Sequence, residues 1–201
     1  MRFYQEITLI KTPEISPYFI WGKLYMQLHL ALVEQQNPDK TVNTGVSFPE
    51  YKYIQKEDGV FASLGSKLRV FANTEIELQQ LNLVKWLDRL TDYVHIKSVA
   101  EVPDNVQGYE TFNRRCKSGS PDKHIRRRMK RHNETWEQAA EFFKGYNMEK
   151  ADKDLPFIRM KSLHSDNEFC MSITRKEAEL SNKHVMFNTY GLSAEGVLPK
   201  F

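Results

Sequence analysis

An α+β fold is predicted for this 201-residue chain from three features of its sequence. Strand-like and helix-like hydrophobic periods alternate over roughly the first hundred residues. The two helices among them open on capping residues. After Pro103 the composition changes, and a strongly basic helix precedes three more strand-like runs.

Phe3 to Ile10 alternates as a half-buried strand does, and Thr12 to Pro17 is a connection. Ser16 as N-cap and Pro17 at the first helical position start a helix. Its apolar stripe is Ile20, Trp21, Leu24, Leu28, Ala31 and Leu32, and Gln35-Gln36-Asn37-Pro38 ends it. Val42 to Phe48 and Lys67 to Ala72 are the next strands; the polar, tyrosine-containing stretch between them, Glu50 to Ser66, has no assignable period. Thr74-Glu75-Ile76-Glu77 is a capping box opening a helix through Leu78, Leu81, Val84, Leu87 and Leu90, and Tyr93 to Val99 is a strand. The order β-α-β-β-α-β is that of a ferredoxin-like half, complete by about Val102. The predicted division is therefore a ferredoxin-like domain over 1–102 and a smaller α/β region over 103–201.

In that second region a basic helix over about 121–132 comes first. A Thr135-x-x-Gln138 capping box then opens a short helix with Trp136, Ala139, Ala140 and Phe143 on one face and Gly145 as a stop. Lys144 to Lys153 reads as a polar linker. Pro156 to Lys161, Glu168 to Lys176 and His184 to Tyr190 are the closing strands, with turns at 164–167 and 178–182.

Composition excludes several classes. With 40% apolar and 27% charged residues the chain is ordinary globular protein, not a disordered one. No apolar run approaches the ~18 residues that span a bilayer, and Met1-Arg2-Phe3-Tyr4-Gln5-Glu6 has no signal-peptide core, so a cytoplasmic protein with no membrane partner is expected. Cys116 and Cys170 form no CxxC or short Cys/His spacing, which argues against a zinc site of the usual kind.

The net charge of +3 hides an asymmetry. Arg114 to His132 holds nine Lys or Arg against one acid, Asp122; the rest of the chain carries 20 basic and 25 acidic groups. Such a footprint suits a polyanion, nucleic acid first. Ser120-Pro121-Asp122 reads as a helix start. From it, Lys123, Arg126, Arg127, Lys130 and Arg131 follow the i, i+3, i+4, i+7, i+8 spacing and share an arc of roughly 140°. Ile125, Met129 and His132 point the other way. One face can dock on protein while the other offers guanidinium forks to phosphates or base edges. Upstream, Arg114, Arg115 and Lys117 are expected on a loop ending in Ser118-Gly119.

Taken together these residues resemble the CRISPR repeat-processing endoribonucleases of the type I-F (Csy) systems. The resemblance spans the chain. It rests on Leu28-His29-Leu30-Ala31-Leu32-Val33, Gly45-Val46-Ser47-Phe48-Pro49, Leu64-Gly65-Ser66-Lys67-Leu68-Arg69-Val70, Lys130-Arg131-His132 at the end of the basic helix, Leu155-Pro156-Phe157, and Tyr190-Gly191-Leu192-Ser193, in this order. It implies a protein that binds the repeat hairpin, cuts the precursor transcript at the hairpin's foot and keeps the product as a subunit of the type I-F surveillance complex. No metal or other cofactor is implied.

Metal-free RNA cleavage can use the adjacent 2′-hydroxyl as nucleophile, which needs a base, an orienting group and cations around the phosphate. Histidine, with an unperturbed pKa of ~6.5, is the natural base. The resemblance gives that part to His29, the orienting part to Ser162 and the positioning of the histidine to Tyr190. It makes Phe169 the aromatic that stacks on the closing base pair. Arg127, Lys130 and Arg131 become the residues entering the hairpin's major groove, with His132 closing the run. Lys130 stands where better-known members have arginine, so a bidentate contact becomes a point charge. In the loop before the helix the family's arginine maps to Arg114, and its base-reading glutamine falls on Arg115 or Cys116. A hairpin-binding scaffold without catalysis is the alternative reading, and a DNA-binding regulator a third.

Overall fold

The computed structural model describes residues 1–115, 121–144, 154–162, 165–180 and 186–201. Strand β1 (Phe3–Leu9) is followed by helix α1 (Pro17–Glu34), strands β2 (Thr41–Val42) and β3 (Gly45–Ser47), the hairpin β4 (Lys52–Lys56) and β5 (Gly59–Ser63), and β6 (Lys67–Ala72). Helices α2 (Glu75–Leu81) and α3 (Leu83–Trp86), a 3₁₀ turn at Asp88–Leu90, and strands β7 (Val94–Ile96) and β8 (Ala100–Glu101) complete this part. Then come β9 (Gly108–Arg115), α4 (Pro121–His132), α5 (Trp136–Phe142), β10 (Phe157–Lys161), β11 (Glu168–Ala178), β12 (Phe187–Asn188) and β13 (Leu198–Lys200). The architecture is mixed α/β with antiparallel sheets. One sheet runs β3-β6-β1-β7, with β8 also on β1; a second runs β10-β11-β9-β13. No helix among the described residues is long and apolar enough to cross a membrane.

The chain separates into two compact units, Met1–Arg114 with Leu155–Phe201, and Arg115–Asp154. The terminal strands thus belong to the same unit as residues 1–114. All six residues of the expected α1 stripe are buried, together with Tyr25. Ser16 does precede α1 with Pro17 inside it, although its side chain makes no capping bond. Phe48 sits among the rings of Trp21, Tyr25 and Phe112 and ties α1 and the first sheet to β9. Buried Trp21 and Tyr25 each hand their polar atom to a carbonyl, of Gly65 and Tyr190, so the rings enter the core without an orphaned donor.

Two expectations are corrected, and the one unassigned stretch takes a definite form. The helix foreseen from Thr74 to Leu90 opens on the expected capping box but breaks at Asn82, whose left-handed φ of 46° ends α2 while its side chain caps α3. Asparagine tolerates that conformation better than any other non-glycine residue, and Val84, placed on the stripe, is 60% exposed. Glu50 to Ser66 forms the hairpin β4–β5, whose Ile54 and Phe61 face solvent and so leave no apolar period to read. Arg114 and Arg115 end strand β9 rather than sitting on a loop; Lys117, Ser118 and Gly119 lie outside the described residues. The alternation of β9 is masked because one of its two buried residues is Glu110, which is held by Arg175 at 2.6 Å. Burial pushes the Glu110 carboxyl up, against the pull of Arg175.

A second buried carboxylate has the opposite balance. Glu6 on β1 is 2% exposed and meets Lys97 at 2.8 Å, Arg69 at 2.9 Å and Lys67 at 3.9 Å. Burial raises its pKa, but the bonds from Lys97 and Arg69 and the charges around it outweigh burial and hold it low. A folded value below the unfolded one means stability that is complete above the ordinary ~4.3 and lost as pH falls through the depressed value. Glu6→Gln should cost about 3 kcal/mol near neutrality, because Arg69 loses its carboxylate, and should fall off less in acid. Urea unfolding of both proteins from about pH 7 to about pH 3 measures this.

In the smaller unit, α4 opens with Pro121 and Asp122; the expected cap Ser120 lies outside the described residues. Helix α5 starts on the predicted Thr135/Gln138 capping box. Ile125 of α4 and Ala139 of α5 are buried. Arg128 binds Glu134 through two 2.7 Å bonds and lies 3.9 Å over the Phe142 ring, clamping the two helices.

Candidate active site

Helix α1 carries His29 on the flank of its buried stripe, half-buried. Its Nδ1 lies 2.8 Å from the Thr189 carbonyl oxygen. A carbonyl only accepts, so Nδ1 carries the hydrogen and, in the neutral ring, Nε2 keeps its lone pair. The imidazole lies flat on Tyr190, with centroids 4.1 Å apart and planes 8° from parallel. One face and one nitrogen of His29 are thereby fixed, and the other nitrogen is left for chemistry.

The turn that fixes them is itself tied down. Asn188 Oδ1 accepts from the Tyr190 and Leu192 N–H groups at 2.9 and 3.3 Å. Gly191 takes a φ of 70°, and a Cβ there would come within 2.3 Å of Val46, so no other residue fits. Tyr25, one helical turn before His29, donates its hydroxyl to the Tyr190 carbonyl at 2.9 Å. Burial, with Tyr190 adding to it, pushes the Tyr25 hydroxyl pKa far up, so it stays a donor. Helix α1 thus holds both the histidine and the turn that orients it.

Arg114, exposed at the end of β9, lies 5.6 Å from the Tyr190 ring centroid and 5.3 Å from that of Phe169. His29, Tyr190, Arg114 and Phe169 therefore form one continuous contact. Ser162 follows β10 in the turn to β11; its N–H donates to the Asn167 carbonyl at 2.8 Å and its Oγ accepts from the Ser165 N–H at 3.3 Å.

Two contacts set α1 and β10 side by side and parallel. Tyr18 stacks on Phe157, and a Cβ at Gly22 would meet the Arg159 carbonyl oxygen at 2.5 Å. From Gly22 to His29 is about 10 Å of helix at ~1.5 Å per residue, and from Arg159 to Ser162 about 10 Å of strand at ~3.3 Å per residue. At these average rises helix and strand advance by equal lengths from that contact to His29 and to Ser162.

In the smaller unit Lys123, Arg126, Arg127, Lys130 and Arg131 are all exposed along α4, while Ile125 is buried and Met129 half-buried. His132, expected on the docking side, is exposed as well. Arg115 is exposed, and Cys116, its rival for the base-reading position, lies outside the described residues. Tyr25, Asn188, Gly191 and the Thr189 carbonyl escaped the sequence reading. A contact made by a backbone oxygen 160 residues away has no side-chain signature. Only the resemblance at Tyr190-Gly191 hinted at this turn.

A family model described as "CRISPR-associated protein (Cas_Csy4)" matches residues 4–201. Proteins named CRISPR-associated endonuclease Cas6/Csy4, from Escherichia coli (strain UTI89 / UPEC) and from Pseudomonas aeruginosa (strain UCBPP-PA14), are each 30% identical over 201 residues, covering all of both chains. A solved structure titled "An RAMP protein binding different RNA substrates" aligns over the full length of both chains at a TM-score of 0.37 and 13% identity, a likeness too slight to fix the fold.

Proposed function

Because the chain belongs to the Cas_Csy4 family of CRISPR-associated proteins, we propose that it is the endoribonuclease that matures CRISPR RNA. It binds the repeat stem-loop and cuts the precursor at the 3′ foot. It then stays on the mature crRNA as a cytoplasmic subunit of the type I-F surveillance complex. Residues 1–102 are read as a ferredoxin-like domain, for which the strand path β3-β6-β1-β7 is the support, and 103–201 as the hairpin-binding region.

The observation that carries the catalytic reading is the Nδ1 bond of His29 to the Thr189 carbonyl, which leaves Nε2 able to take a proton. His29 removes the proton of the 2′-hydroxyl just upstream of the cut, and Ser162 orients that hydroxyl. The 2′-oxygen bonds to phosphorus, the bond to the 5′-oxygen breaks, and that oxygen takes a proton from solvent water while His29 returns the one it took to solvent. The products are a 2′,3′-cyclic phosphate and a 5′-hydroxyl, with no net gain or loss of protons. Tyr190 positions the histidine by its stacked ring. Phe169 takes the closing base pair beside Arg114, Arg115 contacts RNA at the end of β9, and the face of α4 formed by Lys123, Arg126, Arg127, Lys130 and Arg131, with His132, takes the hairpin stem. A short stem admits side chains where a long A-form major groove would not, because its groove opens at the loop and at the base.

Incubating the protein with the repeat RNA of its own locus should give one cut at the hairpin's 3′ foot. Tight binding with no cut would leave the hairpin-binding scaffold standing instead.

A further inference from the structure

The Thr189 carbonyl that accepts from His29 Nδ1 and the Tyr190 N–H belong to one peptide group, planar and trans, so that they point opposite ways. That N–H donates to Asn188 Oδ1 at 2.9 Å. Asn188 and His29 therefore hold the two ends of the same peptide, in a chain running from the Nδ1 hydrogen through the carbonyl and the N–H to the amide oxygen. Each bond in such a chain polarises the next. The rest of the turn is held without the Asn188 amide. The Asn188 carbonyl accepts from the Gly191 N–H at 2.7 Å, and the Asn188 N–H donates to the Leu192 carbonyl at 2.9 Å. The Tyr190 carbonyl accepts from Tyr25 at 2.9 Å, and the Gly191 carbonyl from the Val46 N–H at 2.8 Å. Losing the Asn188 side chain thus frees the middle peptide while its neighbours stay in place.

We infer that Asn188 is a positioning residue for His29: by pinning the 189–190 peptide it aims the Thr189 carbonyl at Nδ1 and so selects the tautomer whose Nε2 can take a proton. The inference rests on the endoribonuclease reading, which gives Nε2 the proton of the 2′-hydroxyl. In a neutral imidazole the nitrogen that carries the hydrogen is set by the bond the other one makes. A peptide pinned at its N–H cannot rotate about the dihedrals that flank it without breaking that bond; a freed one can. Its carbonyl then turns from Nδ1, and the ring hydrogen passes to Nε2, which becomes a donor where the reaction needs an acceptor. The stack on Tyr190 does not make this choice. Two rings lying flat, 4.1 Å apart and 8° from parallel, fix the plane of the imidazole and leave open which of its edge nitrogens holds the hydrogen. Asn188 acts through the peptide, since its amide oxygen is bonded to the Tyr190 and Leu192 N–H groups and not to the ring.

The test compares the unchanged full chain with Asn188→Asp, which keeps the acceptor oxygen, Asn188→Ser, whose hydroxyl makes the same turn more weakly, and Asn188→Ala, which has no acceptor. Nitrogen-15 NMR of the neutral imidazoles reads the tautomer, with the His29 signals identified by their absence from His29→Ala. The unchanged chain and Asn188→Asp should carry the hydrogen on Nδ1, Asn188→Ser should show a mixture, and Asn188→Ala should move furthest towards Nε2–H. Single-turnover cleavage of the repeat hairpin should follow the same order. Asn188→Ala should lose about ten-fold or more, the effect of removing a residue that orients a functional histidine, and less than the ~10⁴-fold of a histidine held wholly in the wrong tautomer. Asn188→Asp should stay within about two-fold of the unchanged rate, and hairpin affinity should stay within about two-fold in every variant. If Asn188→Ala does not fold, Asn188→Ser carries the comparison. A tautomer that does not move, a rate that falls without it, or an aspartate that fails to restore both would overturn the inference. An unchanged chain that binds the hairpin and does not cut it would overturn the endoribonuclease reading instead, and the tautomer alone would then decide the part played by Asn188.

Discussion

His29→Ala should lower single-turnover cleavage of the repeat hairpin by 10²-fold or more, the size of effect that loss of a general base produces, and leave hairpin affinity within about two-fold. The substitution removes Nε2 and none of the cations assigned to the RNA. It also frees the Thr189 carbonyl and one face of Tyr190, but the turn between them remains held by Asn188 and Tyr25. The position is half-buried beside the core rather than within it, so the fold should persist. Rapid-quench cleavage and filter binding on the same preparation separate the two quantities. A variant that cuts at the wild-type rate would return His29 to being a histidine at the edge of a core.

Arg127→Ala with Arg131→Ala should do the reverse and remove the grip. Both side chains are exposed on α4, apart from the Arg128 clamp and from buried Ile125, so the helix has no packing to lose with them. Charge-assisted contacts of ~1–3 kcal/mol each predict a loss of a few kcal/mol, about 10²-fold or more in Kd. For the unchanged protein the log–log slope of affinity against salt should be about −3 to −5, at ~0.7–0.9 per phosphate neutralised, and the double variant should lose about 1.5 of it. A flat salt response in the unchanged protein would show that the basic face of α4 does not carry the RNA.

Local chemistry made much of the fold readable from the sequence. The stripe of α1 and the capping boxes at Thr74 and Thr135 appear where composition and spacing put them, because a cap or a 3.6-residue period is decided within a few residues. What escaped depends on distant partners. Strand β9 hides behind Glu110, whose burial makes sense only once Arg175 arrives from β11. Strand β13 contains Pro199 and exists by pairing with β9 at the edge of its sheet. Asn82 interrupts a regular apolar stripe with a backbone conformation that periodicity does not register.

The candidate site divides in the same way. The exposed arc of α4 could be drawn from the spacing of its cations alone. His29 could not be singled out by any such rule, since a polar residue flanking an apolar stripe is ordinary, and it was found through the family resemblance. The structure adds the physical reason to consider it: a carbonyl on Nδ1, a ring beneath, and a tether to the turn from Tyr25 on the same helix.

The nucleophile in this account belongs to the substrate, and the most direct test removes it there. Repeat RNA with a single 2′-deoxy nucleotide just upstream of the scissile phosphate should be bound as tightly as the unmodified RNA and not cut, while the unmodified RNA is cut in EDTA as fast as in Mg²⁺ and ends in a 2′,3′-cyclic phosphate. Cleavage of the deoxy substrate, or activity that disappears in EDTA, would contradict the mechanism built on His29 and Ser162.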